Sequence, residues 1–208
     1  MIADEKQAKA YLREYADDSA MSRLSKLEVA LREENDAQNL VSNNSLHEMW
    51  KRHFVDSAQL LKHLPVQIGS ILDLGSGAGF PGLIIALLRP ETPVTLVESR
   101  AKRIEWLKYA VQLMELKNCA VEGARVELVG THPYGVITAR AFAPLLKLLK
   151  LSARFSTSET VWVLPKGKSA AQEIRNLPPR LRRMFHVEQS VTSDDAGIIV
   201  GKGKVERA

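Results

Sequence analysis

Ile71-Leu72-Asp73-Leu74-Gly75-Ser76-Gly77-Ala78-Gly79-Phe80-Pro81-Gly82 decides how the rest of this 208-residue chain is read. A short apolar run ends in alternating glycines, and a second apolar segment (Leu83, Ile84, Ile85, Leu87, Leu88) starts just past Pro81. That pattern predicts a buried strand, a tight loop and a helix with proline in its first turn, where the missing N–H costs little. Glycines let the main chain take positive φ and let a ligand approach without a Cβ in the way. A nucleotide-like cofactor is expected there.

Spacing narrows the cofactor. Gly77-Ala78-Gly79-Phe80-Pro81-Gly82 formally satisfies the dinucleotide pattern G-x-G-x-x-G. The strand should end near Leu74, however, which makes Gly75 the first turn glycine and puts bulky Phe80 where close helix–strand packing needs a glycine. Read as acid-x-Gly-x-Gly-x-Gly from Asp73, the segment resembles motif I of class I S-adenosylmethionine (SAM) methyltransferases. A second carboxylate follows on Pro93-Val94-Thr95-Leu96-Val97-Glu98, a strand ending in an acid. It lies about 20 residues past the loop, the spacing at which an acid grips a ribose diol.

Composition excludes several classes. No run of 18 or more apolar residues occurs, so no membrane-spanning segment is expected. Met1-Ile2-Ala3-Asp4-Glu5-Lys6 lacks a basic region followed by an apolar core, so no signal peptide is expected and the location should be cytoplasmic. Cys119 is the single cysteine, which excludes an internal disulfide and a cysteine-based metal cage; no metal is expected. The net charge of +5 is uneven: −2 over residues 1–65, zero over 66–134 and +7 over 135–208. The surplus is densest in Pro178-Pro179-Arg180-Leu181-Arg182-Arg183 and around Lys166 and Lys168, a basic face suited to a polyanion or simply to solvation.

Residues 1–65 read as an N-terminal helical subdomain and 66–208 as the catalytic domain. Ala8, Leu12, Tyr15 and Ala16 keep helical spacing, as do Leu24, Leu27, Ala30 and Leu31 in a segment with Ser22 as a possible cap. Ser45 followed by Glu48 reads as a capping box for a helix carrying Leu46, Met49, Trp50, His53, Phe54, Leu60 and Leu64 on one face, ended by Pro65. Beyond it strands and helices alternate, with a last antiparallel pair over 184–191 and 197–200. The fold class expected is α/β, a mostly parallel Rossmann-like sheet with helices on both faces. Ligands bind beyond the carboxyl ends of such strands, here Gly75–Gly79, Glu98, Val126-Glu127, Arg140 and Lys166.

Methyl transfer from SAM is a direct displacement, so the target atom sets the side chains required. Pyrimidine carbon-5 needs a cysteine nucleophile, and Cys119 lies well before the fourth-strand loop. Exocyclic amines are usually handled by an Asn/Asp-Pro-Pro-aromatic turn, whereas Thr138-Ala139-Arg140-Ala141-Phe142 stands there. Guanine N7 needs neither, because its lone pair carries no proton. Arg140 directed at guanine O6 or a phosphate fits that logic. Trp106, Lys102 and Arg103 read as a solvated helix side; Arg140 read alone suits a structural pair with a carboxylate such as Asp56 or Glu98, and Lys166 a surface lysine next to a turn.

The chain also resembles one family, bacterial small-subunit (16S) ribosomal RNA guanine-N7 methyltransferases, also called glucose-inhibited division protein B. Asn39-Leu40, Arg52-His53-x-x-Asp56-Ser57, the Gly-Phe-Pro-Gly continuation of the glycine loop, Glu98-Ser99-x-x-Lys102-Arg103, Arg125-Val126-Glu127, Thr138-Ala139-Arg140-Ala141 and Pro165-Lys166-Gly167 carry the resemblance. It implies SAM as cofactor, with Asp73, Gly75, Gly77, Gly79 and Phe80 in its first loop and Val126-Glu127 beside its adenine. Glu98 would take the ribose by general fold logic. Arg140 would act on both cofactor and substrate, His53 would join it in catalysis, and Lys166 would hold substrate. The partner implied is small-subunit rRNA, and nothing demands a second protein chain, so a monomer is expected. One departure stands out: the family's fourth strand usually opens with aspartate, where Tyr134-Gly135 occurs here. A methyltransferase acting on a small molecule, a nucleotide-dependent oxidoreductase and a non-enzymatic RNA-binding protein remain the alternatives.

Overall fold

The structure, a computed structural model, describes residues 1–67 and 69–206. Seven strands form one sheet in the order β3-β2-β1-β4-β5-β7-β6. These are β1 (Ile71–Leu74), β2 (Val94–Val97), β3 (Cys119–Glu122), β4 (Val136–Thr138), β5 (Val161–Lys166), β6 (Phe185–Gln189) and β7 (Gly197–Lys202). The first five pair in parallel, while β7 runs antiparallel to both β5 and β6. β1 is central and buried at every residue, as a parallel strand covered on both faces must be. Chain order reverses between β1 and β4, and ligands of such sheets sit above that switch point.

Pleating divides the sheet residues between two cores. Ile71, Val94, Leu96, Val136 and Val163 face the N-terminal helices and share one continuous core with Leu12, Leu24, Leu31, Phe54 and Leu60. Leu72, Leu74, Ile137, Trp162 and Leu164 face the other way, against Leu145, Leu148, Leu149 and Ile174. The α-helices around the sheet are α1 (Glu5–Leu12), α2 (Asp18–Gln38), α3 (Asn43–Leu46), α4 (Asp56–Ala58), α5 (Gly82–Leu88), α6 (Ala101–Leu113), α7 (Leu145–Ser152), α8 (Ala170–Arg175) and α9 (Pro179–Arg182). Tyr134, where the family resemblance leads one to expect an acid, is buried beside Phe155 just before β4.

Three local expectations are corrected. α2 starts four residues before Ser22, capped by Asp17, whose carboxylate accepts from Ala20 N at 2.7 Å. Ser45 caps nothing, because it lies inside α3 and its hydroxyl donates to Ser42 O. Nor is 46–64 one continuous helix. α3 stops at Leu46, a π-helical turn spans Trp50–Val55, and a 3-10 turn over Gln59–His63 follows α4. The π turn begins where Glu5 accepts from the N–H groups of Trp50 and Lys51, at 3.0 and 2.9 Å. A cap borrowed from 45 residues away leaves no local sequence signal.

Candidate active site

At the end of β1 the chain turns through Gly75, Gly77 and Gly79, all at positive φ. A Cβ on Gly75 would run into the ring of Phe142, so glycine there serves both backbone shape and a close side-chain approach. Close helix–strand packing falls on Gly82 instead of Phe80. A Cβ on Gly82 would meet Leu96 and lie 2.8 Å from Asp73 Oδ2, and Gly82 N donates to that oxygen at 3.3 Å. Phe80 turns its ring toward His53 and relieves the packing conflict that its bulk suggested. Asp73 is 0% exposed, and its Oδ1 has no hydrogen-bond partner. Burial pushes its pKa up to about 7 against the opposing pull of hydrogen bonds and Arg140.

Glu98 ties this loop to α6. Its Oε2 accepts from Gly77 N at 3.1 Å, and its Oε1 from Ser99 N and Arg100 N at 2.7 and 2.9 Å. Arg103 approaches the same carboxylate at 4.0 Å. Oε2 keeps one acceptor position beyond its bond to Gly77, enough for a hydroxyl. Trp106 corrects the expectation of a solvated side: it is buried, and its Nε1 donates to Ala78 O at 3.0 Å. Its place in the apolar stripe Trp106, Leu107, Ala110, Met114 was the available signal. Val126 and Glu127 lie on a 3-10 turn after β3, Val126 buried and Glu127 exposed. Arg154 holds that turn by donating to the carbonyls of Val126 and Val129.

Above the switch point the structure assembles four side chains from three separate stretches. His53 stacks on Phe80 with ring centroids 5.0 Å apart and planes 13° off parallel. The guanidinium of Arg140 lies 5.1 Å from the centroid of Phe80. Arg140 Nη1 also donates to Arg52 O at 3.2 Å and stands 3.6 Å from Asp56 Oδ2. Asp56 Oδ1 is fixed in turn by Thr192 Oγ1 and Gln59 Nε2, both at 2.9 Å. His53 is 6% exposed, and neither ring nitrogen has a partner. Burial, reinforced by Arg140 and Arg52, lowers its pKa to about 3, so the imidazole is neutral at physiological pH and only a weak base.

His53, Asp56 and Arg140 line one wall of an open cleft of about 1340 Å³, bounded by the N-terminal helices, the β4–α7 loop and the β6–β7 connection, while Phe80 lies buried behind them. The glycine loop lies outside this cleft, and the loop carrying Arg140 and Phe142 stands between them. Lys166 lines the cleft, but its Nζ is engaged with Ala143 O at 2.8 Å and Glu173 Oε2 at 3.0 Å. Sequence reading missed Phe142, Gln59, Thr192 and Glu173. Only their positions in three dimensions give them meaning.

A mostly parallel sheet with its glycine loop at the switch point, an acid closing β2 and a cleft above β4 define a class I, Rossmann-like methyltransferase. Two solved structures share the fold. The precorrin-6y C5,15-methyltransferase of Geobacter metallireducens aligns with a TM-score of 0.54 at 14% identity, over 79% of this chain and 91% of that one. MtNAS in complex with S-adenosylmethionine aligns with a TM-score of 0.55 at 14% identity, over 96% and 84%. The family model for rRNA small subunit methyltransferase G matches residues 20–197. A protein of that name from Erythrobacter litoralis is 57% identical over 99% of this chain and all of its own length. Another, from Novosphingobium aromaticivorans, is 52% identical over 97% and 89%. The chain belongs to the rRNA small subunit methyltransferase G family.

Proposed function

We propose that the protein transfers a methyl group from SAM to N7 of one guanosine in 16S, the small-subunit, ribosomal RNA. The observation that carries the target atom is the grouping of Arg140, its ion-pair partner Asp56 and a neutral His53 at the cleft, an arrangement for orientation and charge balance that suits guanine N7, which has no proton to remove. The residues present suit SAM on the loop side. Asp73 Oδ1 and both His53 nitrogens are buried polar atoms lacking protein partners, and Gly75 and Gly77 turn the main chain at positive φ with no Cβ in the way. Asp73, Gly75, Gly77, Gly79, Phe80 and Glu98 would hold the cofactor's methionine and ribose, with Val126 and Glu127 beside its adenine.

When bound, SAM supplies an electrophilic methyl on a sulfonium. Guanine N7 brings its own lone pair, so the chain's task is alignment and charge balance. Arg140 donates toward guanine O6 or an adjacent phosphate, leaving N7 clear. The carboxylate of Asp56, 3.6 Å from Arg140, offsets positive charge as the base becomes cationic. His53 contributes as a neutral hydrogen-bonding ring.

The basic excess over residues 135–208 supports a polyanionic substrate, with Lys166 at the cleft edge. Residues 1–65 act as the substrate-facing subdomain on a catalytic domain of 66–208. Among the described residues no helix is long and apolar enough to cross a membrane. Action in the cytoplasm as a monomer accords with this reading.

The test is transfer of labelled methyl from SAM to small-subunit RNA, naked and as assembled subunit, from cells lacking the protein and from their parent. Label entering only the deficient RNA, and mapping to N7 of one guanine, is expected. No transfer to either RNA while SAM still binds would overturn the substrate, and activity insensitive to salt would point to a small-molecule acceptor.

A further inference from the structure

Arg140 sits on a loop with no regular structure between β4 and α7, and that loop is strained. Ala141 has φ +52°, a left-handed conformation that strains a non-glycine residue and persists only where surroundings impose it. On one side the loop is held by Arg140 itself, through Asp56 and the carbonyl of Arg52. Its other side ends at Ala143, Pro144 and Leu145, and there two charged side chains from different elements close on it.

Lys166, the last residue of β5, donates to Ala143 O at 2.8 Å. Glu173, on α8, accepts from Leu145 N at 2.6 Å. Leu145 opens α7, and the first N–H groups of a helix lack intrahelical acceptors, so Glu173 serves as a cap supplied from outside. The two charges meet at 3.0 Å, and Ser169 Oγ donates to the other carboxylate oxygen at 2.9 Å. Their side chains are 9% and 19% exposed. Burial alone would raise the pKa of Glu173, but hydrogen bonds from Lys166, Leu145 N and Ser169 outweigh it and hold the carboxyl below its ordinary value. Removing either partner leaves the other shielded and unpaired, a costlier state than the intact pair.

We propose that Lys166 and Glu173 form a latch that positions the Arg140 loop for methyl transfer, with Lys166 acting on the loop and not directly on RNA. The proposal rests on the reading that Arg140 works at the substrate base. Both are positioning residues: neither touches the reacting atoms, and each acts through the main chain at 143–145. Two of the three ammonium donors of Lys166 are engaged within the protein.

Glu173→Gln, Lys166→Met, Lys166→Arg and the double variant, made in the full chain, test this. Hydrogen exchange of the peptide spanning 139–146 comes first, because it needs no activity. The latch requires exchange at least roughly tenfold faster there in Glu173→Gln and Lys166→Met, with the sheet still protected. It also requires a kcat loss of roughly tenfold to a hundredfold, with SAM affinity and KM for RNA nearly unchanged, since a small misplacement of a positioned group is that costly. The double variant should be no worse than either single one, and Lys166→Arg should recover part of the rate.

Unchanged exchange in both single variants would overturn the latch whatever the activity. So would a Lys166→Met defect that appears in KM, lowers the salt dependence of RNA binding by about one charge and is absent from Glu173→Gln, because that describes a phosphate contact. Failure of the wild-type protein to methylate small-subunit RNA would instead overturn the reading of function and leave the exchange test standing.

Discussion

The two halves of the site are built in opposite ways. The cofactor half is local: from Asp73 to Gly82 one strand, one turn and one helix start supply backbone shape, a buried carboxylate and close packing within ten residues of sequence. The cleft half is assembled from afar. Arg52, His53 and Asp56 come from a π-helical turn and α4, Arg140 from the loop after β4, and Thr192 from the connection between β6 and β7. A local site is specified by backbone rules, so it tolerates little change in its own residues and much elsewhere. A dispersed site depends on the pairs that tie its pieces together.

Breaking the local half should have the largest effect. Gly75→Val puts a β-branched residue at φ +65° and drives its Cβ into Phe142. SAM binding, measured by calorimetry, should weaken by more than roughly a hundredfold, since each 1.4 kcal/mol is tenfold and strain alone contributes about 1–3 kcal/mol. Retained affinity would move the cofactor away from this loop. In the dispersed half the expectation splits. Arg140→Ala should cut turnover roughly a hundredfold or more, with SAM affinity changed by less than about threefold, the pattern of an interaction made in the transition state. Equal losses of binding and turnover would place Arg140 on the cofactor alone and erase the contrast.

The same division explains what the sequence disclosed. The alternating glycines, the acid ending β2 and the strand–helix alternation follow short-range rules, and they were legible. His53 stood out on its helical face but gained a functional reading, with Asp56, only through family resemblance, because a helical face cannot reveal that Thr192 fixes Asp56 from 136 residues away. The capping box at Ser45 fails because that residue lies inside α3 and bonds Ser42 O, and the π turn after it starts where Glu5 accepts from Trp50 N across a distance no local pattern spans. Lys166 looked like a free cation because Glu173, its partner, stands on another element.

The smallest and most diagnostic effects concern two buried titratable groups, one in each half, whose pH dependences run in opposite directions. Asp73 titrates higher when folded, at about 7, than in the unfolded chain near 4. The stability it contributes is complete below pH 4 and is lost as pH rises through 7. His53 titrates lower when folded, at about 3, than unfolded near 6.5. Its contribution is present above pH 6.5 and is lost as pH falls toward 3. Asp73→Asn should therefore gain on the wild type by roughly a few degrees in Tm between pH 5 and 8, and His53→Gln should gain between pH 6.5 and 4. In turnover, neutral His53 leaves no ionisation near 6.5, so His53→Gln should lower kcat without altering the pH profile. A wild-type limb near pH 6.5 that vanishes in His53→Gln would mean that the imidazole exchanges a proton during the cycle. That would argue against guanine N7, a ring nitrogen with no proton to remove, as the acceptor.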